Sequence, residues 1–139
     1  MMNLLPGVPE TLVLSAFGRA GGSEITSGKF ASVESSAALA ANGFGGFLNQ
    51  PDLLPPLPDL SDLDCPATRV TIERQMRFSW FGGRHPWLDA AIETPKHLVA
   101  IESKRHEPFR GAKPAHLSPT YDRDVWGSKM AQWTRCAIA

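Results

Sequence analysis

The stretch running from Arg69 to Lys104, RVTIERQMRFSWFGGRHPWLDAAIETPKHLVAIESK, decides the fold. In its first ten residues Val70, Ile72, Met76 and Phe78 fall on one face. Thr71, Glu73, Gln75 and Arg77 fall on the other, with Arg74 the exception. Alternation with a period of two marks a half-buried strand. Gly82-Gly83 then reads as a turn, HPWLDAAIE as a second strand, Thr94-Pro95-Lys96 as a second turn and HLVAIESK as a third strand. Three strands joined in this way predict an antiparallel meander.

Upstream, residues 29–48 (KFASVESSAALAANGFGGFL) are dense in alanine, and Phe30, Val33, Ala37, Ala40 and Ala41 stand near helical spacing. The pattern predicts a helix from about Ser32 to Phe44, with Ser32 as N-cap and the glycines at 43, 45 and 46 ending it. A helix laid on a meander gives the α+β class. Residues 1–28 read as loop with a short helix near Glu10–Phe17. Residues 49–68 hold five prolines and four aspartates, the composition of a connecting loop with polyproline character. Its PPLP segment also suits a proline-binding module, but a connection accounts for it equally well. Beyond Lys104, residues 111–139 read as an irregular tail with a weak helix in VWGSKMAQWTRCAIA.

A chain of 139 residues fits one domain, with its core at about residues 30–110. Its 42% hydrophobic and 20% charged content excludes collagen, coiled coil and disulfide scaffolds. Cys65 and Cys136 have no CxxC partner, as expected of free thiols in a reducing compartment. No apolar run approaches the roughly 20 residues of a membrane helix. The amino-terminal stretch lacks the leading positive charge of a secretory signal and is broken by two prolines, so a cytoplasmic protein is expected. The zero net charge conceals an asymmetry. Residues 1–63 carry two basic and six acidic residues, and residues 64–139 carry twelve and eight. A basic second half suits a polyanionic partner.

The chemistry-bearing residues lie at the end of the meander. On the third strand Leu98, Ala100, Glu102 and Lys104 share a face, which sets the Glu102 and Lys104 side chains ~6.6 Å apart. Pairing around a turn at 93–96 sets position 89 beside 100 or 101, so Asp89 and Glu102 become neighbours with Lys104 just beyond. Two carboxylates suit Mg²⁺, which prefers hard oxygen ligands, and the Ser103 carbonyl offers a third ligand. A lysine alongside can orient water or stabilise charge at phosphorus. The bland alternative is a salt bridge between Glu102 and Lys104 on an exposed sheet.

Other constellations are weaker. The histidines at 85, 97, 106 and 116 match no zinc spacing. Trp80, Phe81, Trp87 and Phe109 stand among Arg77, Arg84, Lys104, Arg105 and Arg110, an interleaving that suits either nucleic acid or simple packing on the sheet. No GxSxG elbow is present, and the glycines at 18, 21 and 22 spell no phosphate loop.

The pattern Asp89-(x12)-Glu102-x-Lys104 across a hairpin, preceded by a helix and an earlier strand, resembles the PD-(D/E)XK nuclease superfamily, the restriction-endonuclease-like fold. GGRHPWLDAAIET followed by HLVAIESKRHEPF also looks like a group of bacterial restriction-endonuclease-type sequences within it. The resemblance covers about residues 30–110 and implies a restriction-endonuclease-like core, with the meander set within a mixed sheet. It implies a Mg²⁺-dependent DNA endonuclease, Mn²⁺ substituting, with Asp89 and Glu102 as metal ligands and Lys104 as the catalytic lysine. An accessory acid is expected from the preceding helix. Glu34 matches by topology, and Glu73 on the first strand is its rival. About 35 residues follow Lys104, where related cores continue with a further strand and helix, so a truncated remnant of such an enzyme is also implied. Cutting both strands favours a homodimer. The rivals are a non-catalytic module on the same scaffold that binds nucleic acid or protein, and a plain structural module.

Overall fold

A computed structural model of the chain describes residues 3–60, 64–77, 85–109 and 111. The chain divides into two compact units, Met1–Met76 with Trp87–Arg110, and Arg77–Pro86 with Gly111–Ala139. All secondary structure discussed below belongs to the first. The Gly82-Gly83 turn, Phe78, Trp80, Phe81, Arg84, Arg110, His116 and the expected tail helix lie outside the described residues.

The protein is α+β: two helices stand before a three-stranded antiparallel sheet. Helix α1 spans Glu10–Ala20, and its buried residues Val13, Ala16 and Phe17 follow the i, i+3, i+4 spacing of one apolar stripe. Glu10 in the first turn and Arg19 in the last complement the helix dipole. Gly21, at φ 67°, ends the helix in the left-handed conformation, which glycine adopts without a Cβ penalty. The helix runs three residues past its expected end.

Helix α2 spans Ser36–Phe44, four residues shorter at its start than the sequence suggests. Ser35, not Ser32, is the N-cap, and its Oγ accepts the N–H of Ala38 at 3.0 Å. Ser32 instead accepts the N–H of Glu34 at 3.2 Å, a local turn that competes with helix. Phe30 therefore sits in a 3-10 turn (Lys29–Ala31), and Val33 is 77% exposed. Ala38, Ala40 and Ala41 are buried, and α2 packs on β1 and β2.

Strands β1 (Arg69–Gln75), β2 (Trp87–Glu93) and β3 (Leu98–Ile101) form the meander in the order β1-β2-β3. The 94–97 turn is closed by Thr94, whose N–H donates to the His97 carbonyl at 2.9 Å while its Oγ1 accepts the His97 N–H at 3.0 Å. Ile72 faces Ala90 and Val70 faces Ile92 across the first pair, and these meet Ile101 and Val99 across the second. This face is the core face. Its inner half packs with Val13, Phe17, Phe30 and Ala41, where the Phe17 and Phe30 rings meet edge-on at 5.2 Å. Its other half is covered by Leu54 and Ala67, so the proline-rich segment caps the sheet as well as connecting it.

Two departures from the expected strands bear on the site. Glu73 has φ 49°, in the left-handed region, so the side-chain alternation breaks there. Arg74, the exception in the sequence pattern, is half-buried and paired with Glu93. Strand β3 ends at Ile101, so Glu102, Ser103 and Lys104 follow the strand rather than extend it.

Candidate functional site

The register sets the site. Ile72 pairs with Ala90 and Arg74 with Leu88, so Glu73 faces Asp89. Ala90 pairs with Ile101, so the same register continued by one residue faces Asp89 with Glu102. Position 89 thus stands beside 102, not beside 100 or 101, because the hairpin loop takes up residues 94–97. Glu73 on β1, Asp89 on β2 and Glu102 just past the end of β3 thus form a row of neighbouring sequence positions.

The segment after β3 is tied down from both sides. The Ser103 N–H donates to Asp89 Oδ2 at 2.5 Å, and the Arg105 N–H donates to Ser36 Oγ at 3.1 Å. Lys104 is held between these two anchors, and its Nζ lies 2.5 Å from Glu102 Oε1. Both side chains of that pair are about half exposed, where an ion pair adds little to stability. Ser103 itself is 8% exposed.

Glu73 is the electrostatic outlier. Its carboxyl is pushed up to about 7, first by burial and then by the negative charges of Asp89, Glu24 and Glu102. A left-handed non-glycine residue and a strongly raised carboxyl at the same position are two independent departures from the unstrained case. Such departures cluster at functional sites.

Beside the row opens a cleft of about 630 Å³, lined by Glu73, Trp87, Asp89, Ser103 and Lys104 and by Glu24, Lys29, Glu34 and the serines at the start of α2. Glu34 lines the same cleft as Asp89, with Oε1 3.6 Å from His106 Nε2. Glu73, not Glu34, is in the carboxylate row. The sequence signal for it was there: an acid at mid-strand whose position mirrors Asp89. What it lacked was the register.

The donor set decides which ion would suit. Among the described residues no three His, Cys, Asp or Glu side chains are close enough to form a metal cage. Asp89, Glu102 and Glu73 offer hard oxygen alone, and among the described residues no imidazole or thiolate joins their row. Mg²⁺ is commonly held by one or two carboxylates with its waters retained, whereas zinc sites take nitrogen and sulfur. These oxygen donors are of the kind Mg²⁺ takes and not the kind zinc takes, and among the described residues they do not assemble into a metal site.

No protein-family model, no curated protein and no solved structure matches this chain. No helix among the described residues is long and apolar enough to cross a membrane.

Proposed function

We propose that the chain is a Mg²⁺-dependent endonuclease hydrolysing DNA phosphodiester bonds on a restriction-endonuclease-like core, with Mn²⁺ as substitute ion. A cytoplasmic setting and a homodimer for cutting both strands belong to the same reading. The observation that carries it is the Ser103 N–H bond to Asp89, which draws the carboxylate from the start of β2 onto the Glu102-Ser103-Lys104 segment. A helix leading into an antiparallel meander supports the fold reading.

In this mechanism Asp89 and Glu102, with the Ser103 carbonyl, would hold the ion, which would supply polarisation of a phosphoryl oxygen and a water of lowered pKa. Lys104 donates to the attacking water and to the phosphoryl oxygens as charge grows on them. Its exposed pairing with Glu102 yields at small energetic cost. Glu73 takes the accessory role from within the row, and Glu34 lines the same cleft.

Plasmid cleavage with Mg²⁺ or Mn²⁺ tests this. Wild type should nick or cut, and Asp89→Ala, Glu102→Ala and Lys104→Ala should each lose roughly 10²-fold or more. Circular dichroism confirms that each is folded. A folded wild type that neither cuts DNA nor takes up Mg²⁺ in titration calorimetry overturns the proposal. The lack of a three-residue cage among the described residues favours a second reading, a binding module on the same scaffold. That reading expects salt-sensitive DNA affinity that survives Asp89→Ala.

A further inference from the structure

We propose that the cleft takes an unpaired stretch of a single DNA strand, with Trp87 as the stacking platform for a base and Lys29 as a contact to a neighbouring phosphate. This rests on reading the cleft as a DNA site.

Size comes first. A cleft of about 630 Å³ lies within the roughly 300–1,000 Å³ that holds a small organic ligand, which suits one nucleotide unit and not a duplex.

Trp87 comes second. It lines this cleft two residues before Asp89 on β2, so the two side chains leave the same side of the strand ~7 Å apart. A base resting on the indole therefore belongs to a nucleotide next to the phosphate at Asp89. Trp87 is 36% exposed, and the aromatic pair among the described residues is Phe17 with Phe30, so no described ring stacks on it. A tryptophan face in a groove beside charged groups is how single strands are held without sequence preference.

Lys29 comes third. It lines a cleft that also holds Glu24, Glu34, Glu73 and Asp89, yet it makes no ion pair with any described residue. A cation left unneutralised by nearby carboxylates of its own chain remains available to a phosphate. Lys29 lines the cleft from the turn before α2 and Trp87 from β2, so phosphate and base contacts would come from two different elements.

The test is fluorescence anisotropy of short labelled oligonucleotides in EDTA, which separates binding from cleavage. Wild type should bind a single strand about tenfold more tightly than a blunt duplex of the same sequence. Trp87→Ala should lose about tenfold on the single strand, and Trp87→Phe should recover most of it. Lys29→Ala should weaken binding for all sequences and lower the salt slope by about 0.7. Equal affinity for duplex and single strand overturns the proposal, as does a folded Trp87→Ala variant that binds like wild type. Failure of the nuclease reading looks different: Trp87-dependent single-strand binding with no metal-dependent cleavage. Efficient cutting of duplex that ignores Trp87 leaves the nuclease and removes this inference.

Discussion

Asp89 Oδ2 accepts the backbone N–H of Ser103 at 2.5 Å, across the open end of the β2–β3 hairpin. One side chain thus replaces the ladder bond that β3 no longer makes after Ile101. It fixes where Glu102 and Lys104 emerge. The fold and the proposed chemistry meet in this single bond.

Asp89→Ala should therefore cost stability as well as activity. It leaves a part-buried N–H unpaired, worth about 1–3 kcal/mol in urea unfolding. Asp89→Asn keeps an acceptor oxygen and should fall within about 1 kcal/mol of wild type while losing Mg²⁺ affinity. Equal stability for Ala and wild type would show that the bond does not hold the segment.

Glu73 makes the stability depend on pH. Its carboxyl is raised from 4.5 to about 7 in the fold by burial and by Asp89, Glu24 and Glu102. Between those values the folded protein holds a proton that the unfolded chain has lost, so stability falls as pH rises through the window. The loss levels off above about 7 and should reach roughly 2 kcal/mol, discounted for partial exposure. Glu73→Gln should remove most of this slope, matching wild type near pH 4 and exceeding it at pH 8. Urea midpoints at the two pH values provide the measurement, and an unchanged slope in the variant would refute the assignment.

Ser35 and Ser32 offer a comparison on one turn. Ser35→Ala removes the cap that accepts the Ala38 N–H and should cost about 1 kcal/mol in thermal unfolding. Ser32→Ala removes only a bond to the exposed Glu34 N–H and should cost less than about 0.5 kcal/mol. The reverse order would place the helix start at Ser32.

Gly45 sits where α2 meets the amino-terminal segment. A Cβ there would lie 2.8 Å from Val8 Cγ1 and 3.5 Å from Val13 Cγ2, so Gly45→Ala should destabilise by about 1–3 kcal/mol. Gly46→Ala, whose Cβ meets nothing within 4 Å, is the control and should be close to neutral. Equal midpoints for the two would show that Val8 yields freely.

Much of the architecture was legible in the chain itself. Alternation in 69–75, the Thr94-Pro95-Lys96 turn and the alanine-rich segment define the meander and the helix on it, because period and turn chemistry are local properties. Local patterns also named Asp89, Glu102 and Lys104, as the ends of adjacent strands must lie together. The limits of that reading are equally physical. Phe30 and Val33 fit the helical spacing but precede the helix, since Ser32 closes a turn of its own and Ser35 caps the next. Spacing does not register which of two serines captures an N–H.

Tertiary structure decided the register, and with it which acid joins the site. A one- or two-residue change in hairpin pairing moves Asp89 from beside Ala100 or Ile101 to beside Glu102. The backward turn of Glu73 at φ 49° and the burial that lifts its carboxyl arise from packing against distant segments, including the loop that carries Glu24. The sequence by itself determined which residue types end on the rim of the sheet. Only long-range contacts determined which carboxylates crowd one another there, because crowding is set by distances that no local pattern encodes.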